Sequence, residues 1–124
     1  MILADTSIWI NHLRESNPLV EDLLRREQVL THPFVIGELA LGGLQQRDLF
    51  LQRLHELPSA WVASSDEVLA LILDNNLQGS GVGYVDANLL ASARMTPNAR
   101  IWTRDQKLAA VAERLAVAAR PHDA

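Results

Sequence analysis

Apolar residues recur along this chain in two rhythms, short runs of three or four and longer stretches at helical spacing. Met1 to Ala4 is a short run that reads as a buried strand. The Asp5-Thr6-Ser7 step after it offers N-cap chemistry for a helix through Ile8, Trp9 and Leu13. Asn17-Pro18 starts a second helix with proline at its first position, and Leu19, Val20, Leu23 and Leu24 repeat along it. Val29 to Thr31 is a brief strand, after which Pro33 opens an apolar helix that ends at Gly42-Gly43. Leu44 to Leu57 is a more polar helix with Leu49, Phe50 and Leu54 on one side. Trp61 to Ala63 reads as a third strand, and Ser64 with Glu67 forms a capping-box pattern ahead of a helix through Val68, Leu69, Leu71 and Ile72. A glycine-rich loop, Gly79 to Gly83, leads into a helix from about Tyr84 to Arg94. Arg100 to Thr103 is a fourth strand, Arg104 to Leu115 a helix, and Val117 to Ala119 a last edge strand.

Strands alternating with helices predict an α/β chain with a mainly parallel sheet of four to five strands and helices on both faces. Its 124 residues suit one domain, residues 1–124, with no repeat, linker or low-complexity segment. In such folds ligands sit beyond the carboxyl ends of the strands. Asp5 and Asp105 fall just past two of those predicted ends.

Charge sharpens the picture. With His12 neutral, Asp5 is the only charged side chain before Arg14. Glu38 stands alone between Thr31 and Arg47, and Asp86 between Asp74 and Arg94. A carboxylate among apolar residues is costly to bury unless something pairs with it. The few basic residues lie mostly elsewhere, so a bound cation is the most economical partner for several such groups. Each acid also has an ordinary reading. Asp5 suits a helix N-cap and Glu38 a carboxylate at the edge of the core, while Asp86 and Asp105 lie where the helix dipole favours negative charge. Those readings leave unexplained why all four occupy strand ends and helix starts of one predicted face.

Composition narrows the classes. Zero cysteines exclude disulfides and thiolate metal sites and fit a cytoplasmic protein. The start carries no signal-peptide pattern, and no apolar run is long enough to span a bilayer. A formal charge of -4 argues against bulk attraction to nucleic acid, but a cation-binding carboxylate cluster supplies part of it. The Gly79–Gly83 run lacks the Lys-Ser/Thr of a P-loop and reads as a flexible hinge. His12, His32, His55 and His122 show no ligand spacing and read as surface or packing residues. Trp9, Trp61 and Trp102 read as structural, and Arg104 and Lys107 as a solvated helix face.

Four segments carry a family likeness: Asp5-Thr6-Ser7; Val35-Ile36-Gly37-Glu38-Leu39; the run from Tyr84 to Ala93 around Asp86; and Ile101-Trp102-Thr103-Arg104-Asp105. In order, spacing and total length the chain resembles the PIN-domain ribonucleases, and within them the VapC toxins of bacterial type II toxin–antitoxin systems. The run around Asp86 and the threonine–x–aspartate end are its most specific parts. The resemblance implies a three-layer α/β/α sandwich and a metal-dependent endoribonuclease with Asp5, Glu38, Asp86 and Asp105 as catalytic acids. Asp5, Asp86 and Asp105 would ligate the ion, with Glu38 ligating, bridging through water or orienting the attacking water. Ser7 and Thr103 would hold the carboxylates in place. Mg²⁺, with Mn²⁺ as the alternative, suits an all-oxygen site that leaves room for a phosphate oxygen. The implied partners are an RNA substrate and a VapB-like antitoxin whose Arg or Lys reaches the acids. A homodimer is expected both by resemblance and from the apolar stripe of Leu49, Phe50 and Leu54 with part of the Pro33–Leu44 helix. Three rivals remain: a PIN-fold nuclease without a toxin role, a catalytically silent binding module, and a phosphoryl-accepting signalling domain. The last lacks an acidic neighbour for Asp5 and a lysine at any strand end.

Overall fold

The computed structural model describes residues 1–121, so His122 lies outside the described residues. Three short parallel strands form the sheet, β1 (Ile2–Ala4), β2 (Val29–Leu30) and β3 (Arg100–Trp102), in the order β2-β1-β3. Leu3 pairs with Leu30 on one side and Ile101 on the other, and Leu3 is wholly buried. The central strand thus comes from the start of the chain and its neighbours from much later.

Seven helices cover the sheet: α1 (Thr6–Glu15), α2 (Pro18–Arg25), α3 (Pro33–Leu41), α4 (Arg47–His55), α5 (Ser65–Asp74), α6 (Tyr84–Met95) and α7 (Gln106–Arg114). The result is the three-layer α/β/α sandwich expected. Helix α1 packs on β1 and α3, while α6 packs on β3 and α5. Local chemistry accounts for most boundaries. Asn17 caps α2 ahead of Pro18, and Ser64 and Glu67 close the capping box at α5 with bonds of 3.1 and 2.9 Å. Helix α6 is buried from Ala87 to Ala93, so it lies in the core.

Several expectations need correction. The sheet has three strands, not four to five. The run Trp61–Ala63 is not a strand; pairing occurs two residues earlier, as a single bridge from Ser59 to Thr31. Trp61 is exposed, and its N–H donates to the Thr96 hydroxyl at 2.8 Å, away from the sheet. Val117–Ala119 contributes only a bridge from Ala118 to Ile101, flanked by two backbone bonds. Both edges are therefore extended by loops. The helix predicted from Leu44 begins instead at Arg47, because Gln46 adopts a left-handed backbone (φ 52°). Its stripe also turns inward: Leu54 is buried and the Phe50 ring meets Trp9 edge-on at 6.0 Å, leaving Leu49 exposed. In the glycine-rich loop, Gly81 holds a left-handed backbone (φ +85°) that other residues rarely adopt, with the Lys107 side chain lying against it. Among the described residues no helix is long and apolar enough to cross a membrane.

Candidate active site

Asp5 is the pivot. Its backbone N–H still belongs to the sheet, donating to the Trp102 carbonyl at 3.0 Å. Its side chain already belongs to α1, where Oδ1 accepts the Ile8 N–H at 3.2 Å as an N-cap. The Ser7 hydroxyl donates to Oδ1 at 2.5 Å, and the Thr103 hydroxyl donates to Oδ2 at 2.5 Å. Both hydroxyls are fixed in turn. Ser7 Oγ accepts the Arg104 N–H at 2.9 Å, and Thr103 Oγ1 accepts the Asp105 N–H at 3.0 Å. The aspartate–threonine–serine start is thereby stitched to the threonine–x–aspartate end, and Asp5 is only 5% exposed.

The other acids are placed by their helices. Asp105 caps α7 through the Leu108 N–H at 3.0 Å. Glu38 projects from α3, where its Oε1 accepts the Thr6 hydroxyl at 2.7 Å. Asp86 stands in the first turn of α6, half-buried. Its carboxyl is pushed up to about 6, first by burial and then by the like charges of Asp5, Asp105 and Glu38. Burial also pushes Asp5 up, against the hydrogen bonds it accepts. The ordinary reading of Asp5 as an N-cap is therefore correct and incomplete, and Asp105, read only as favoured by the helix dipole, is an N-cap as well. They cap, and they also act electrostatically on Asp86, as Glu38 does.

The donor set suits a hard divalent cation in its chemistry. All four groups offer oxygen, and the repulsion converging on Asp86 is what a cation would relieve. Their closeness falls short of a ready cage. Among the described residues no three Asp, Glu, His or Cys side chains are drawn together around one point.

Two contacts here were not read from the sequence. Thr6 holding Glu38 spans 32 positions, and only its place between Asp5 and Ser7 hinted at a role. His32 was read as a surface or packing residue; it is fully buried and caps α3 through Nδ1, which accepts the Phe34 N–H at 3.0 Å. The position immediately before Pro33, at the start of an apolar helix, was the available signal. A cavity of about 910 Å³ lies away from the four acids, between α1, α2 and α4. Trp9, Leu13, Leu24, Phe50 and Leu54 line it, with Arg53 on its wall.

The chain matches a known family. The model for the PIN domain fits residues 2–114, and the chain belongs to the PIN-domain family. Two relatives sharpen the likeness to VapC-type PIN ribonucleases. Each is a protein named Ribonuclease VapC32, from Mycobacterium tuberculosis strains CDC 1551 / Oshkosh and ATCC 25618 / H37Rv. Each is 47% identical to this chain over 118 residues, covering 95% of both sequences. PIN-domain ribonucleases generally use a divalent metal.

Proposed function

We propose that this chain, as one domain, is a Mg²⁺-dependent endoribonuclease and the toxin of a VapBC-type pair, acting in the cytoplasm. The observation that carries this reading is the like charge that Asp5, Glu38 and Asp105 bring to bear on Asp86, in a chain so similar to proteins named ribonucleases. Asp5, Asp86 and Asp105 would hold the ion, with water completing what the carboxylates do not enclose. When bound, the ion supplies charge neutralisation at the phosphodiester and lowers the pKa of water.

The chain's own residues do the rest. Ser7 and Thr103 fix the Asp5 carboxylate in one orientation by donating to opposite oxygens. Thr6 takes one oxygen of Glu38, leaving the other to accept a hydrogen bond from the attacking water. Asp86, with its carboxyl pushed up to about 6, would have to be in its ionised form to hold the ion, so binding would weaken as pH falls through that value.

An antitoxin partner fits two features. Its Arg or Lys would pair with the four acids. Its apolar residues would seat in the cavity lined by Trp9, Leu13, Leu24 and Phe50. The homodimer is kept on resemblance, because Phe50 and Leu54 are spent on internal packing. Purified protein should cut RNA with Mg²⁺ and stop on adding EDTA. A pure, folded, Mg²⁺-saturated sample inert on all RNA tried would return the silent binding module as the better reading. Co-expression with the adjacent gene tests the toxin role, and sedimentation at micromolar concentration tests the dimer.

A further inference from the structure

The two helices that carry Glu38 and Asp86 are tied to each other by one buried contact. His32 Nε2 lies 2.9 Å from Ser92 Oγ, and both residues are 0% exposed. Because Nδ1 accepts the Phe34 N–H, the ring's single proton sits on Nε2 and is donated to Ser92. Burial supports the neutral form, holding the imidazole down at about 4. Ser92 is anchored on its other side. The Thr96 hydroxyl donates to the Ser92 carbonyl at 2.7 Å and accepts the Trp61 N–H at 2.8 Å. Trp61 directly follows the segment whose Ala60 N–H donates to the Thr31 carbonyl, beside His32. The contacts form a closed ring joining the end of β2, the start of α3 and the later half of α6.

Position makes this ring matter to the acids. Glu38 is six residues along α3 from His32, and Asp86 is six residues along α6 from Ser92. That is about 9 Å in each helix, so a tilt of only about 6° at the tie moves a carboxylate by about 1 Å. Misplacement on that scale costs up to about 100-fold in rate. A serine or asparagine cap would satisfy α3 but could not also reach α6; the two ring nitrogens of histidine do both.

We propose that His32 is a positioning residue of the nuclease site inferred above, setting α3 against α6 and so the separation of Glu38 from Asp86. The inference rests on that nuclease reading. Ser92→Ala removes the tie and keeps the cap; His32→Asn keeps a capping oxygen and loses the reach. Each should lower kcat about tenfold with KM little changed, and weaken Mn²⁺ binding, measured without RNA, by a similar factor. The double substitution should be no worse than either single one. Ser64→Ala, which breaks the α5 cap, is the control: it should lower Tm and leave kcat alone. Full kcat and Mn²⁺ affinity in folded Ser92→Ala protein, or losses that add in the double variant, would overturn the proposal. A wild-type protein that neither binds Mn²⁺ nor cuts RNA would defeat the nuclease reading instead. Crystal structures of wild type and Ser92→Ala then still decide the tie, since an unmoved α3 rejects it. Nitrogen NMR of the wild type checks the ring itself, where a proton on Nδ1 at neutral pH would also reject it.

Discussion

Helices α3 and α6 hold two polar sites of opposite character about 9 Å apart along each helix. At one, His32, Ser92, Thr96 and the Trp61 N–H satisfy one another, and the imidazole stays neutral. At the other, Asp86 faces Asp5, Glu38 and Asp105, and nothing of opposite sign is paired with them among the described residues. The first draws its partners from within the chain, with the Thr31 hydroxyl beside it left over. The second, in the function proposed above, calls for a cation. A fold tolerates such a deficit where neighbouring polar groups are fully satisfied and rigid, because stability lost at one place must be offset at another.

The sharpest way to break the contrast is at Asp5. Asp5→Asn should cut RNA cleavage by at least about 100-fold while circular dichroism and Tm stay near wild type. The amide keeps an oxygen for the Ile8 N–H and sheds a repelling charge. Undiminished cleavage by the folded variant would refute the assignment of Asp5.

His32→Phe attacks the satisfied side. It keeps a ring in the same space but strands the Phe34 N–H and the Ser92 hydroxyl, which should cost about 2–3 kcal/mol in urea unfolding. A loss below about 0.5 kcal/mol would show that these bonds contribute little.

Asp86→Asn should do the reverse in EDTA. The folded pKa of Asp86, about 6, lies above its ordinary 3.8. Its contribution is therefore fully present below about 4 and is lost as pH rises through 6. Above that, the substitution should stabilise the metal-free protein by about 1 kcal/mol, a figure reduced for the solvent that reaches a half-buried group. Below about pH 4 it should change nothing. Equal stability of the two proteins at pH about 7.5 in EDTA would contradict the repulsion.

The smallest effect joins the two sites. His32, held down at about 4 from 6.5, contributes stability above 6.5 that is lost as pH falls through 4. Asp86 and Asp5 slope the other way over the same window. Metal-free wild type should thus show a softened pH dependence between about pH 4 and 6. His32→Asn should steepen the decline with rising pH by up to about 1 kcal/mol across that range. Parallel profiles from urea titrations would show that the histidine does not titrate as described.

What could be read in advance followed local signals. Asn17-Pro18, Ser64 with Glu67, and the apolar period of α6 each fix an element within a few residues, so the boundaries fell close to expectation. Three of the four acids stand out because charge is scarce around them, and in the structure the like charges of Asp5, Asp105 and Glu38 all bear on Asp86. The misses were set by distant partners. Trp61–Ala63 is apolar enough for a strand, but Thr96 claims the Trp61 N–H, and pairing shifts back to Ser59. The inward turn of Phe50 depends on Trp9, 41 residues earlier. The role of His32 depends on Ser92, 60 residues later. No spacing rule within a window of one helix can carry such information.

The stitching of Asp5 to Thr103 has a further consequence, for the time at which the candidate site can form. The central strand is made first, yet one of its neighbours and half of the grip on Asp5 come 98 positions later. At roughly 5–20 residues per second, a ribosome needs on the order of 5–20 s to deliver that second half. Until then the nascent chain has no third strand, no Thr103 hydroxyl and no Asp105. Synthesis therefore sets an order: a chain stalled before Thr103 holds Asp5 without its second hydroxyl, and the candidate site is assembled only once that late segment is made.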